Sequence, residues 1–135
     1  MDQRIELETH DLRAACEGLA ELVVDAQTTE AEATDAIRAL AQLNGSTVGV
    51  VRFSGRTPWE RHEGDELLHI LEGEVFVEIL GEGAITSGLA RAGEVVVVPR
   101  GCWHRQHARV RTTLLFVTDG TDVSTAEDPR RDPAR

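Results

Sequence analysis

The chain has no tyrosine, and aromatic residues make up only 4% of its 135 positions. That scarcity excludes the row of stacking rings on which single-stranded nucleic acid is usually held. Basic charge is not in excess either. The formal net charge is -10, which argues against nucleic acid and anionic membrane surfaces as partners. Cysteine is sparse: Cys16 and Cys102 lie far apart and form no C-x-x-C pair. No disulfide framework is implied, and a reducing compartment is the simpler expectation. The first eight residues lack a basic start followed by an apolar run, and no apolar stretch is long enough to cross a bilayer. A cytoplasmic protein is therefore expected. What remains is a chain of one-domain length with 41% apolar residues, enough to bury a core without staples.

The apolar pattern changes period along the chain. Residues 1–8 alternate weakly and predict a short edge strand. From Asp11, the residues Leu12, Cys16, Leu19 and Val23 recur at helical spacing. A second helix is predicted from a capping box of Thr29 and Glu32, with Ala33, Ile37, Leu40 and Leu43 on one face and Asn44-Gly45 as its stop. Residues 1–45 thus read as a helical N-terminal extension packed on a β domain. Over 46–118 the period is two, and short runs such as Thr47–Phe53, Glu66–Leu71, Val75–Leu80 and Val95–Val98 are separated by glycine-containing turns. That pattern predicts an all-β sandwich or barrel. Residues 119–135 are polar, with Asp128-Pro129 and Asp132-Pro133, and read as a loose tail.

Two stretches carry chemistry. In the first, Glu60, His62 and Glu66 fall within seven residues, around the reversal Glu63-Gly64-Asp65. Glu60 and His62 are two apart on an extended segment, so their side chains leave the same face. A hairpin at the reversal would bring Glu66 beside His62. In the second stretch, His104 follows the strand Val95–Val98 and the turn Pro99-Arg100-Gly101. Imidazole and carboxylate donors converging from three strands suit a divalent Mn, Fe, Ni or Zn ion. His69 and His107 lie three residues from Glu66 and His104, so strand parity turns them away. Gln106 shares parity with His104 and, with Arg52, is a candidate substrate contact. Trp59 either rims the site or packs beneath it.

The same residues resemble the cupins. That family's first motif, G-x5-H-x-H-x3,4-E-x6-G, is met by Glu60-x-His62-x3-Glu66-x6-Gly73. Its second, G-x5-P-x-G-x2-H-x3-N, is met by Gly93-x5-Pro99-x-Gly101-x2-His104-x3-Ala108. The resemblance covers residues 47–118. It implies a jelly-roll barrel, or double-stranded β-helix, with His62, Glu66 and His104 as metal ligands, and pairing into homodimers. Glu60 stands where cupins usually place a histidine, Ala108 where they place asparagine, and Gly55 is one residue closer to the motif than usual. Glu60 is added as a ligand on geometry alone.

Two functions remain open. One is a metal-dependent enzyme of dioxygenase, isomerase or lyase type acting on a small organic molecule. The other is a non-catalytic small-ligand binder, or a barrel without metal in which His62 and His104 are hydrogen-bonded core residues. Glu60 would then pair with Arg56, Arg61 or Arg105.

Overall fold

Asn44 and Gly45 have φ of 50° and 80°, and they turn the chain between two antiparallel strands. The structure, a computed structural model, describes residues 4–134. In chain order its elements are α1 (Leu12–Cys16), β1 (Leu22–Val24), α2 (Glu30–Ala36), β2 (Arg38–Leu43), β3 (Ser46–Arg56), β4 (Trp59–His62), β5 (Glu66–Glu72), β6 (Glu74–Leu80), β7 (Ile85–Arg91), β8 (Val95–Val98), β9 (His104–Thr118) and β10 (Thr121–Ser124). A 3-10 turn, Pro129–Arg131, comes last. This is an all-β barrel with a small helical segment at its N-terminal side.

The helical extension is shorter than its apolar spacing suggested. The first helix ends at Cys16, ahead of Gly18 with its φ of 70°. Leu19 falls in the link that follows, and Val23 enters β1, parallel to β3. The second helix has its predicted capping box of Thr29 and Glu32 but stops at Ala36. Arg38–Leu43 pairs with β3 instead. Two consecutive positive-φ residues are what a two-residue hairpin turn requires, so the Asn-Gly pair closes a hairpin rather than ending a helix. Of the edge strand expected over 1–8, residues 1–3 lie outside the described residues and 4–8 are in no strand. The C-terminal segment is not simply loose. Its β10 pairs with β4, and Trp59 Nε1 donates to the Glu127 carbonyl at 3.2 Å.

One long strand gathers the barrel. β9 runs unbroken for fifteen residues, from His104 to Thr118. It pairs with β3, β4, β5 and β6, so it borders both halves of the curled sheet. Its inward side chains join those of β3, β5, β6 and β8 in a core that includes Phe53, Leu68, Ile70, Val75, Val77, Val98, Leu114 and Phe116. Full burial of such a side chain contributes about 1.5–3 kcal/mol. Gly49, opposite Phe116 in the β3–β9 ladder, makes room for the ring: a Cβ there would sit 2.6 Å from Phe116 Cζ. Among the described residues, no helix is long and apolar enough to cross a membrane.

Gly73, between β5 and β6, has φ of 84°, and a Cβ would run into the Arg111 carbonyl and Thr112 of β9. Gly93 has φ of 91° with nothing near a Cβ. Gly93→Ala should therefore cost only the left-handed strain, about 1–2 kcal/mol. Gly73→Ala should cost more, about 3 kcal/mol or above, because backbone must also move. Urea unfolding of both variants checks this. Equal losses would show that the β5–β6 turn is not packed against β9.

Candidate metal centre

Three side chains meet inside the barrel near one end. His62 is the last residue of β4, Glu66 the first of β5 and His104 the first of β9. They are 4%, 5% and 1% exposed. The expected reversal lies between His62 and Glu66, but β4 and β5 do not pair; β4 runs between β9 and β10. Each oxygen of Glu66 faces one ring nitrogen. Oε1 is 3.1 Å from His104 Nε2, and Oε2 is 3.3 Å from His62 Nε2. Thr118 Oγ1, at the end of β9, donates to Oε2 at 2.5 Å. The two imidazole centroids are 5.0 Å apart.

The far side of each ring shows where its proton sits. His104 Nδ1 is 3.1 Å from the Cys102 carbonyl. A carbonyl only accepts, so Nδ1 carries the proton, and in the neutral ring Nε2 offers a lone pair. His62 Nδ1 is 3.1 Å from Thr121 Oγ1, with the Gly120 backbone beside the ring. His62 Nε2 is buried and makes no hydrogen bond; its approach to Glu66 is close but off the line such a bond needs. Two lone-pair nitrogens and a carboxylate therefore converge, with donor atoms all within 4.8 Å of one another. A cation satisfies such a set, and without one, protons must. Among the described residues this is the one group of three that could hold a metal ion.

The charges respond to the crowding. Burial pushes the Glu66 carboxyl up, but the close approach and charges of His104 and His62 outweigh it and hold it down at about 2. Burial lowers His62, and the Glu66 carboxylate beside it more than offsets that, so the ring is raised overall. Glu60 stands outside the close group. The residue is half-buried, yet its carboxylate end lies deep. Burial first and Glu66 second push it from 4.5 up to about 7, against smaller opposing effects of His104 and His62. None of the three arginines considered as its partner takes it: among the described residues, Arg61 pairs with Asp122 and Arg105 with Glu78, and Arg56 forms no ion pair.

Other candidate residues divide by strand parity. Gln106 is 8% exposed and lies two after His104 on the inward row of β9. Arg52 does not reach this group. Its guanidinium donates to Thr113 Oγ1 and the Leu19 carbonyl on the outer face, tying the N-terminal segment to the barrel. Trp59 also points away, with the Arg105 guanidinium 4.2 Å from its ring centre. Trp103 is covered the same way by Arg61, at 4.5 Å. Both indoles therefore pack under arginines. Thr118 and Thr121 were not singled out from the sequence. A legible sign of the first was its place at the end of the inward row Leu114, Phe116, Thr118. An open cleft of about 930 Å³ reaches His62 from outside, lined by Arg61, Arg100, Thr121 and Asp122 among others.

A family model described as a cupin domain matches residues 49–118. An uncharacterized protein of Bacillus subtilis (strain 168), YdbB, is 29% identical over 79 residues, 58% of this chain and 67% of that protein. Among solved structures, a cupin-2 domain protein from Shewanella frigidimarina aligns with a TM-score of 0.55 and 22% identity, covering 62% of this chain and 79% of its own. A cupin-like protein from Thermotoga maritima aligns at 0.58 and 18%, covering 70% and 78%. An oxalate oxidase aligns at 0.51 and 26%, over 58% of this chain and 46% of its own.

The raised and lowered groups set the pH dependence of the metal-free protein. Glu66 is depressed, so its contribution is full above the ordinary carboxylate value and is lost as pH falls toward about 2. His62 is raised, so its contribution is full below the ordinary imidazole value and is lost as pH rises through its folded value. Glu60 binds its proton more tightly folded than unfolded, so between 4.5 and about 7 it too lowers stability as pH rises. Metal-free protein should melt at lower temperature at pH 8 than at pH 5.5. Glu60→Gln should reduce that drop, since each pK unit is about 1.4 kcal/mol. Parallel profiles for the two proteins would mean the Glu60 carboxyl is not held up by its surroundings.

Proposed function

The chain belongs to the cupin family, and on that premise we propose that it binds a divalent transition-metal ion, Mn, Fe, Ni or Zn, through His62, Glu66 and His104. The centre would hold, or act on, a small organic molecule. The observation carrying this is the convergence of two Nδ1-anchored imidazoles on both oxygens of one buried carboxylate, with His62 Nε2 left without a hydrogen bond. An ion held there supplies Lewis-acid polarisation of a substrate oxygen. Around it, Gln106 offers an amide to orient the ligand from the inward face of β9. Glu60, with a carboxyl poised near neutrality, can give or take a proton at a ligand atom beside the centre. As a fourth ligand it would make the site formally neutral and move preference toward harder ions such as Mn. The oxalate oxidase neighbour, solved with the substrate analogue glycolate, favours small carboxylates as the first molecules to try.

Metal analysis of the purified protein, followed by calorimetric titration with Mn and Zn, tests the reading. His104→Ala should abolish measurable binding, whereas His69→Ala and His107→Ala should bind like the parent. Equal loss in His69→Ala and His104→Ala would mean the assignment of inward residues is wrong by one position. Glu60→His should keep binding and shift selectivity toward Zn. Unchanged selectivity, together with unchanged affinity in Glu60→Ala, would remove Glu60 from the ligand set. Oxygen uptake with small carboxylates and diketones separates an oxygenase from a binder.

We also propose that two copies pair through the outer face of the sheet. Two rows cross it, Val97–Leu67–Val117–Val48–Ala41 and Val95–His69–Leu115–Val50–Arg38. Neither contains a carboxylate, although the chain carries -10 overall. Val95 and Val97 are each 56% exposed at the β8 end, whereas Val50 is fully covered. Glu72, in the next row of this face, is engaged by Arg52 and Arg111, so these two rows are where two such acidic chains can meet. Light scattering at micromolar concentration should give twice 14.8 kDa, and Val97→Glu should shift it toward one chain. A single-chain mass for the parent protein would overturn the pairing.

A further inference from the structure

The family match ends at residue 118, yet the structure brings the next few residues against the centre. Thr121 lies directly opposite His62 in the β4–β10 ladder, and its hydroxyl is 3.1 Å from His62 Nδ1. Thr118, three residues earlier, reaches Glu66. The segment 118–121 thus touches two of the three donors from behind. Its register is held on both sides of Thr121. Arg61 pairs with Asp122 at 2.7 Å, Val123 lies opposite Glu60, and Ser124 bonds Asp132. Trp59 holds the next turn through the Glu127 carbonyl.

A hydroxyl can meet a ring nitrogen in two ways. If Thr121 donated to Nδ1, the neutral ring would carry its proton on Nε2 and aim it at Glu66. The observed Nε2 makes no hydrogen bond, and the Thr121 hydroxyl has a carbonyl to donate to, that of Asp119 at 3.4 Å. Its lone pairs are then free to accept from Nδ1–H. We infer that Thr121 is a positioning residue: β10, outside the family-matched segment, fixes His62 in the Nδ1–H tautomer and so turns the Nε2 lone pair toward Glu66 and His104. The inference rests on the metal reading for its purpose but not for its geometry. A partner on the far ring nitrogen raises the basicity of the ligating one and fixes the ring plane, and its loss typically costs 10–100-fold in metal affinity.

Two measurements decide it. Long-range nitrogen–proton NMR of the metal-free protein, above the imidazole titration, reports which ring nitrogen of His62 bears the proton. The parent and Thr121→Ser should show Nδ1–H, and Thr121→Val should show a shift toward Nε2–H. Calorimetry with zinc at pH 7.5 should give Thr121→Ser within about threefold of the parent and Thr121→Val weaker by about 10–100-fold. An Nδ1–H ring in Thr121→Val with parental zinc affinity would overturn the inference, as would an Nε2–H ring in the parent. Should Thr121→Val not fold, Thr121→Ala takes its place against the serine variant. If the parent protein takes up no zinc, the metal reading fails, and the ring-nitrogen spectrum still decides the role of Thr121.

Discussion

The inward row of β9 joins the core to the site. From one end it presents His104, Gln106 and Ala108, and beyond an irregularity opposite β3 it continues with Leu114, Phe116 and Thr118. Period-two geometry obliges these side chains to share a face. The apolar members fill the barrel, and the polar members at its ends reach the Glu66 neighbourhood. Packing and chemistry therefore cannot be varied independently. A slip of one residue would bury Arg105 and His107, expose His104 and Phe116, and undo both at once. The burial of Glu66 is tolerable for the same reason, since the strand that encloses the carboxylate also brings His104 and Thr118 to satisfy it.

Much of this was legible in the sequence because it depends on parity and turns. The grouping of His62, Glu66 and His104 followed from two spacings, and His69 was rightly turned outward, opposite Val95 and Leu115. Arg52 was misjudged as a cavity residue, and for Trp59 the choice between rimming the site and packing was left open. For Arg52, the outward direction depends on the pairing Arg52↔Thr113, which a single strand does not reveal. For Trp59, the decisive contacts come from Arg105 and from Glu127, 68 positions away. The contribution of Thr121 was invisible because a threonine near a strand end has no signature until its partner is known, and Thr118 was marked only by its place in the inward row of β9.

The N-terminal third was harder to read for a different reason. Apolar residues at positions 37, 40 and 43 fit a helix and a strand equally until something decides between them. The deciding element is β3, an eleven-residue strand whose edge away from β9 takes β1 and β2 as partners, together with the Asn44-Gly45 turn. The capping box of Thr29 and Glu32 starts a helix as it should, and the strand pairing that begins at Arg38 ends it after seven residues.

The pairing of β10 with β4 has a consequence for the order of events during synthesis. His62 and Thr121 are far apart along the chain, and both must be present with His104 before the pocket closes. A nascent chain that has released only its first hundred residues holds His62 and Glu66 but neither His104 nor the strand that backs His62. Such a chain has no converged donor set with which to trap an ion from its surroundings. Long-range pairing of this kind is also slow, because loop closure must precede the contacts that reward it. On the proposed metal reading, loading would thereby be deferred to the finished barrel, with entry governed by the mouth of the fold rather than by whichever ion the unfinished chain meets first.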